Sequence, residues 1–180
     1  MEVIETKIKG LLIINPKVFA DDRGYFFESY NEAVFKKNGV DVNFVQDNQS
    51  LSNAGVLRGL HFQAPPFAQG KLVRVITGAV LDVAVDIRKN STTYGEYVAI
   101  ELTEENKTMF YIPPGFAHGF LTLRDNTIFS YKCTDLYNKA SEGTVQWNDK
   151  QINIDWNVAN PILSEKDLNG VSFEDFKSPF

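Results

Sequence analysis

The stretch Ala79-Val80-Leu81-Asp82-Val83-Ala84-Val85-Asp86-Ile87 decides the fold class. Ala79, Leu81, Val83, Val85 and Ile87 fall on every second position, and Asp82 and Asp86 share the positions between them. A period of two belongs to a strand, whose side chains point alternately to opposite faces. The two aspartates read as marks of a wet face. Similar runs cover residues 71–76, 97–102, 109–112, 120–123 and 127–134, and turn signals separate them: Thr77-Gly78, Lys89-Asn90-Ser91, Glu105-Asn106 and Arg124-Asp125-Asn126. Short strands at this spacing predict an all-β antiparallel sandwich or barrel. Helix is sparse. Residues 31–38, followed by Gly39, read as a short helix closed by a left-handed glycine. Ser164-Glu165-Lys166-Asp167 has the form of a capping box. The last ten residues mix Phe with Asp and Lys and read as a loosely packed or extended tail.

The 180 residues fit one domain spanning 1–180, with 43% hydrophobic and 23% charged residues, ordinary for a soluble protein with its own core. The single cysteine, Cys133, excludes an intramolecular disulfide. A net charge of −5 argues against a general nucleic-acid binder, which needs a basic field. No run approaches the roughly 20 apolar residues of a membrane span, and the acidic start Met1-Glu2-Val3-Ile4-Glu5 is unlike a signal peptide. The expectation is a cytoplasmic protein with no membrane partner.

Only two histidines are present, His61 and His118. A lone histidine among apolar residues is more often a satisfied core residue than a functional one. What sets these apart is the cations set into neighbouring strand patterns: Arg58, Lys71 and Arg74. A buried cation is costly unless something anionic meets it, and an anionic ligand would do so; the alternative is a solvated outer face. Arg58 and His61 are an odd number of residues apart, so a regular strand sends them to opposite faces. A bulge at Gly59 would bring both to one site.

Several segments together resemble the dTDP-4-dehydrorhamnose 3,5-epimerase family. They are Asp21-Asp22-Arg23-Gly24-Tyr25-Phe26-Phe27-Glu28, Gln46-Asp47-Asn48, Leu57-Arg58-Gly59-Leu60-His61-Phe62-Gln63, Gln69-Gly70-Lys71-Leu72-Val73-Arg74-Val75, residues 82–88, Ile112-Pro113-Pro114-Gly115-Phe116-Ala117-His118-Gly119-Phe120, Tyr131-Lys132 and Leu163-Ser164-Glu165-Lys166-Asp167. Each is weak alone, but the ordered series is specific and covers nearly the whole chain. The resemblance implies a cupin-type jelly roll with a few short peripheral helices. It implies a homodimer acting without a cofactor on a dTDP-linked 4-keto-6-deoxyhexose. Metal-binding cupins carry His-x-His, then Glu, then Pro-x-Gly-x-x-His. Here Gln63 stands at the second histidine and no Glu follows before Lys71, so no metal is expected.

The resemblance also implies roles. His61 is similar to the family's general base, Asp167 to the carboxylate that orients it, Tyr131 to the acid on the opposite face, and Lys71 to the cation beside the ketone. For Asp167 the ordinary alternative is closure of the capping box, and for Tyr131 an amphipathic core tyrosine. Arg23, Phe26, Glu28, Gln46, Asp47, Asn48, Arg58, Lys71, His118, Tyr137, Glu142 and Lys166 resemble the substrate-binding set, with Arg23 and Glu28 contributed in trans and core packing the ordinary alternative for Phe26. Where the family often has a histidine, this chain has Gln49. The implied reaction is double epimerisation at carbons 3 and 5 through an enolate. The rivals are a single-carbon epimerase or ketoisomerase, a non-catalytic sugar-nucleotide-binding cupin, and a metal-dependent oxygenase.

Overall fold

A computed structural model describes residues 1–180. Strands β1 (Glu2–Glu5), β2 (Leu12–Asn15), β5 (Gln46–Ser52), β7 (Lys71–Thr77), β10 (Met109–Ile112) and β12 (Thr127–Cys133) build one sheet in the order β1-β2-β10-β7-β12-β5. A second sheet runs β13-β6-β11-β8-β9, from β6 (Leu57–Gln63), β8 (Ala79–Asp86), β9 (Tyr97–Thr103), β11 (Phe116–Thr122) and β13 (Glu142–Thr144). A separate hairpin pairs β3 (Phe19–Asp21) with β4 (Gly24–Phe26). All paired strands are antiparallel, as the alternating runs predict, and the two sheets pack face to face as a jelly-roll sandwich.

Alternation explains the layers. Val73, Val75, Phe110 and Phe129 of the six-stranded sheet meet Val80, Ala84, Phe116 and Phe120 of the other in a continuous core. The five-stranded sheet buries its far face too: Leu57, Leu60, Val83, Val85, Ile87, Ala117 and Leu121 are covered by Trp156 and Phe173 from the C-terminal third. This corrects two expectations. Asp82 and Asp86 do not mark a wet face; both are 0% exposed, on the side of β8 that looks into the sandwich. Each is buried only because its oxygens are occupied, as a buried charge requires. Asp82 meets His118, while Asp86 accepts from Arg88 at 2.6 and 2.8 Å, Ser91 at 2.6 Å and Thr93 at 2.7 Å. The terminal ten residues are not loose either, because Phe173, Phe176 and Phe180 pack on the outer face of that sheet and the Phe180 carbonyl accepts from Lys89 N–H at 3.3 Å.

Helix α1 (Glu32–Lys37) lies where expected, capped by Asn31 and followed by Gly39 at φ +93°. Its Phe35 packs with Ile14, Leu72, Met109 and Tyr111 on the outer face of the six-stranded sheet. Helix α2 (Glu165–Leu168) opens with the predicted capping box.

The irregularity expected at Gly59 is present. On β11, His118 pairs with His61 and Phe120 with Arg58, so two residues of β6, Gly59 and Leu60, oppose the single Gly119 of β11, a bulge. Side-chain parity flips across it, which brings Arg58, His61 and Gln63 to one face. Gly59 has φ +148°, and a Cβ there would lie 2.6 Å from Gly119 Cα, so only glycine fits.

Candidate active site

At one end of the sandwich the apolar core gives way to a polar cavity of about 510 Å³ between the sheets. The six-stranded sheet supplies Gln46, Asn48 and Ser50 from β5, Lys71 from β7, and Phe129 and Tyr131 from β12. The other supplies Arg58, His61 and Gln63 from β6, and His118 and Phe120 from β11. Tyr137, Glu142, Ser164, Lys166 and Asp167 close the rim. His61 and Tyr131 therefore arise on opposite walls of one space.

His61 Nε2 lies 2.7 Å from Asp167 Oδ1. Burial tends to raise the Asp167 carboxyl, but hydrogen bonds from His61 and Ser164 outweigh it and hold the group at about 2. An ionised carboxylate only accepts, so Nε2 carries the proton and Nδ1 keeps the lone pair. Burial also pushes His61 below the usual imidazole range; Asp167 opposes that shift, and the Lys166 and Lys71 charges reinforce it. Asp167 closes the helix box and hydrogen-bonds the imidazole at once.

Lys71 is half-buried and makes neither an ion pair nor a hydrogen bond with the chain. Burial lowers its ammonium pKa. Its cross-strand partner Cys133 is buried, and Asn48 Nδ2 donates to Cys133 Sγ at 3.6 Å. Burial likewise raises the Tyr131 phenol, which keeps its proton on at neutral pH. His118 Nε2 is held by both Asp82 oxygens, at 2.9 and 3.0 Å. Arg58 rests on Ser52 Oγ at 3.2 and 3.3 Å and has no acidic partner, so its charge is open to an anion. At the rim, Tyr137 Oη donates to Glu142 Oε2 at 3.2 Å and Lys166 Nζ donates to Glu142 Oε1. Tyr137 N–H is fixed by Gln46 Oε1 at 2.9 Å.

The cavity thus gathers all four residues expected to be catalytic, with Gln46, Asn48, Arg58, His118, Tyr137, Glu142 and Lys166 of the binding set. It does not gather Asp47. Strand alternation turns Asp47 to the outer face of β5, where its carboxylate pairs with Lys132 at 2.9 Å. Arg74 likewise faces outward, over the Phe27 ring. Arg23, Phe26 and Glu28 lie outside this chain's own cavity. The Arg23 side chain is 90% exposed on Asp21, Phe26 is 67% exposed rather than packed in the core, and Glu28 accepts from Asn31 at 2.9 Å. Ser50, Gln63, Gln69, Phe62, Phe120, Phe129 and Ser164 line the cavity without having been singled out as site residues. The parity of Gln46 and Asn48 extends to Ser50, a signal present in the sequence. Ser50 Oγ is buried without a hydrogen-bond partner.

The donor set does not fit a first-row metal. His61 and His118 each already meet a carboxylate, and Gln63, at the position of a third ligand, gives its amide nitrogen to the Phe67 and Leu136 carbonyls and takes Asn138 N–H at 2.9 Å. Two imidazoles do not complete such a site.

The jelly roll is of the cupin type, with the His61 imidazole and the Tyr131 phenol on facing walls of one cavity and the cations Lys71 and Arg58 unpaired by any acid beside them. The profile of dTDP-4-dehydrorhamnose 3,5-epimerase matches residues 5–175, and the chain belongs to that family. It is 55% identical over 176 residues to the dTDP-4-dehydrorhamnose 3,5-epimerase of Shigella flexneri, with 97% of each chain covered. The structure of the Legionella pneumophila dTDP-6-deoxy-D-glucose-3,5-epimerase in complex with dTDP-4-keto-L-rhamnose superposes with a TM-score of 0.94 at 46% identity, covering 98% of this chain and 94% of that one. A 3'-monoepimerase from Streptomyces bikiniensis in complex with dTDP-quinovose superposes at 0.89 with 32% identity, covering 94% and 86%.

Proposed function

We propose that this protein inverts carbons 3 and 5 of dTDP-4-dehydro-6-deoxy-D-glucose to give dTDP-4-dehydro-β-L-rhamnose, a step of dTDP-L-rhamnose biosynthesis. The substrate's ketone at carbon 4 acidifies the hydrogens on carbons 3 and 5. His61 Nδ1 takes such a proton, and Asp167 stabilises the imidazolium that results, as the aspartate of a catalytic triad does. The electron pair moves onto the ketone oxygen, where the Lys71 ammonium meets the enolate. Tyr131 then returns a proton to the carbon from the opposite face. Each inversion removes one proton and adds one, so the reaction needs no redox cofactor.

Arg58 and His118 hold the diphosphate, for which a guanidinium fork is suited. Gln46, Asn48, Tyr137, Glu142 and Lys166 hold the nucleoside and sugar. Residues 1–180 act as one catalytic unit in a cytoplasmic homodimer, with Arg23, Phe26 and Glu28 reaching the partner's cavity. The exposed hairpin that carries Phe19, Tyr25 and Phe26 supports that arrangement.

The observation that carries the reading is the placement of His61 and Tyr131 on facing sheets around one cavity. The test is incubation with the keto-sugar in deuterated water, followed by NMR. Exchange at both carbons with accumulation of the L-sugar is expected. Exchange at one carbon alone would make the protein a monoepimerase, and none at either would remove the enzymatic reading.

A further inference from the structure

We propose that Ser164 is a positioning residue for the base, acting through Asp167, an inference that rests on the function proposed above. The two oxygens of Asp167 are not equivalent. Oδ1 accepts from His61 Nε2 at 2.7 Å and from Gly59 N–H at 3.1 Å. Oδ2 accepts from Ser164 Oγ at 2.5 Å and from Ser164 N–H at 3.3 Å. The Ser164 hydroxyl is held in turn, since it takes Asp167 N–H at 3.3 Å. Four donors fix the carboxylate plane and direct Oδ1 to the imidazole.

A capping box needs less than this. It stabilises a helix end whichever oxygen serves it, and a carboxylate free to turn would satisfy the cap while leaving the imidazole unsupported. Helix α2 has only four residues and cannot hold Asp167 by its own cooperativity. The order at this point comes from the Ser164–Asp167 pair and from the Ile162 carbonyl, which accepts from Leu57 N–H at 3.0 Å on β6. Ser164 also lines the cavity, beside the groups it positions. The same carboxylate receives the N–H of the bulge residue Gly59, so the device that turns His61 inward and the device that orients it meet at one side chain.

The consequence for protonation follows from what surrounds His61. Asp167 and Lys166 face it from α2 and Lys71 faces it from β7, while Arg58, His118, Tyr131, Tyr137 and Glu142 are the other charged or titratable groups lining the cavity. Burial, Lys166 and Lys71 all disfavour the imidazolium, and Asp167 is the group that favours it. An Asp167 that wanders leaves the first three unopposed.

The test compares Ser164→Ala, Ser164→Gly and Ser164→Thr with wild type in the full-length protein. Its readouts are melting temperature, kcat and KM on the keto-sugar, the pH profile of kcat/KM, and NMR titration of His61 without substrate. Glycine is a fair N-cap, so Ser164→Gly retains the helix end while removing the hydroxyl. In Ala and Gly, kcat should fall roughly tenfold with KM little changed, the loss of one charge-assisted hydrogen bond. The acid limb and the His61 titration should move to lower pH. Ser164→Thr should restore both. An acid limb and a His61 titration that stay put or move upward in Ala and Gly overturn the proposal, as does a kcat loss that only tracks the unfolded fraction. Should wild type prove inert on the keto-sugar, the function reading fails by itself, while the His61 titration still decides the role of Ser164.

Discussion

Replacing Lys71 by methionine separates catalysis from stability, because the two should move in opposite directions. Methionine keeps the length and most of the volume of lysine, so it leaves no large void. The ammonium it removes is half-buried and has no partner in the chain. An unpaired charge in such a place destabilises the fold, so the methionine protein should be more stable by about 1 kcal/mol or more at neutral pH. The sign with pH follows from burial holding the folded-state pKa of Lys71 below its ordinary value of 10.5. The penalty is fully present while the lysine is charged in both states and is relieved as the folded protein loses that proton. The advantage of methionine should therefore shrink as pH climbs toward 10.5. Activity should go the other way. A preorganised donor to a developing oxyanion is worth about 2.7–4 kcal/mol, so kcat should fall roughly 10²- to 10³-fold. Urea unfolding at pH 7 and at pH 10, with turnover of the keto-sugar followed by NMR, measures both. A methionine protein that is less stable than wild type, or that keeps kcat within tenfold, would refute the reasoning that Lys71 is an unpaired charge kept for the enolate.

Other outcomes follow from the same geometry. Asp167 is depressed from 3.8 to about 2, worth about 2 kcal/mol at 1.36 kcal/mol per unit; that stability is present above pH 4 and lost as pH falls toward 2, so Asp167→Asn should flatten the acid-unfolding profile over that interval. Tyr131→Phe should let His61 exchange solvent deuterium into the sugar while the inverted product fails to accumulate, which one NMR time course reports. Gly59→Ala would place a Cβ 2.6 Å from Gly119 Cα at a positive φ, so it should destabilise the fold by about 2 kcal/mol or more and cut activity with it, as denaturant unfolding would show. Mixing inactive His61→Ala and Arg23→Ala chains should restore part of the activity if the hairpin serves the partner's cavity, and no regain on mixing would place Arg23 outside the site.

Period-two alternation placed β7, β8, β9, β10 and β12 within a residue or so of their positions, caught only the end of β11, and did not mark the short strands β1–β4 and β13 or the polar β5. Capping chemistry is equally local, so Gly39 and the Ser164–Asp167 box were legible as well, while Asn31, read as the first helical residue, is the N-cap. The bulge at Gly59 followed from a parity argument: two polar residues an odd number apart can share a site only if the strand is interrupted between them.

What alternation does not say is what covers each face. Asp82 and Asp86 read as wet because a polar position in a strand is ordinarily solvated, whereas here that face turns into the sandwich and the apolar face is roofed by Trp156 and Phe173 from far downstream in the chain. Asp47 shows the converse error, a residue included for its motif that strand parity sends outward to Lys132. The sequence by itself determined which side chains are available and which ones share a strand face, since both depend on neighbours a few residues apart. Only the tertiary structure decided that β6 and β12 belong to opposing sheets, so that an imidazole and a phenol look at each other across one space. Sheet partnership arises from burial summed over the whole chain, and no local pattern encodes it.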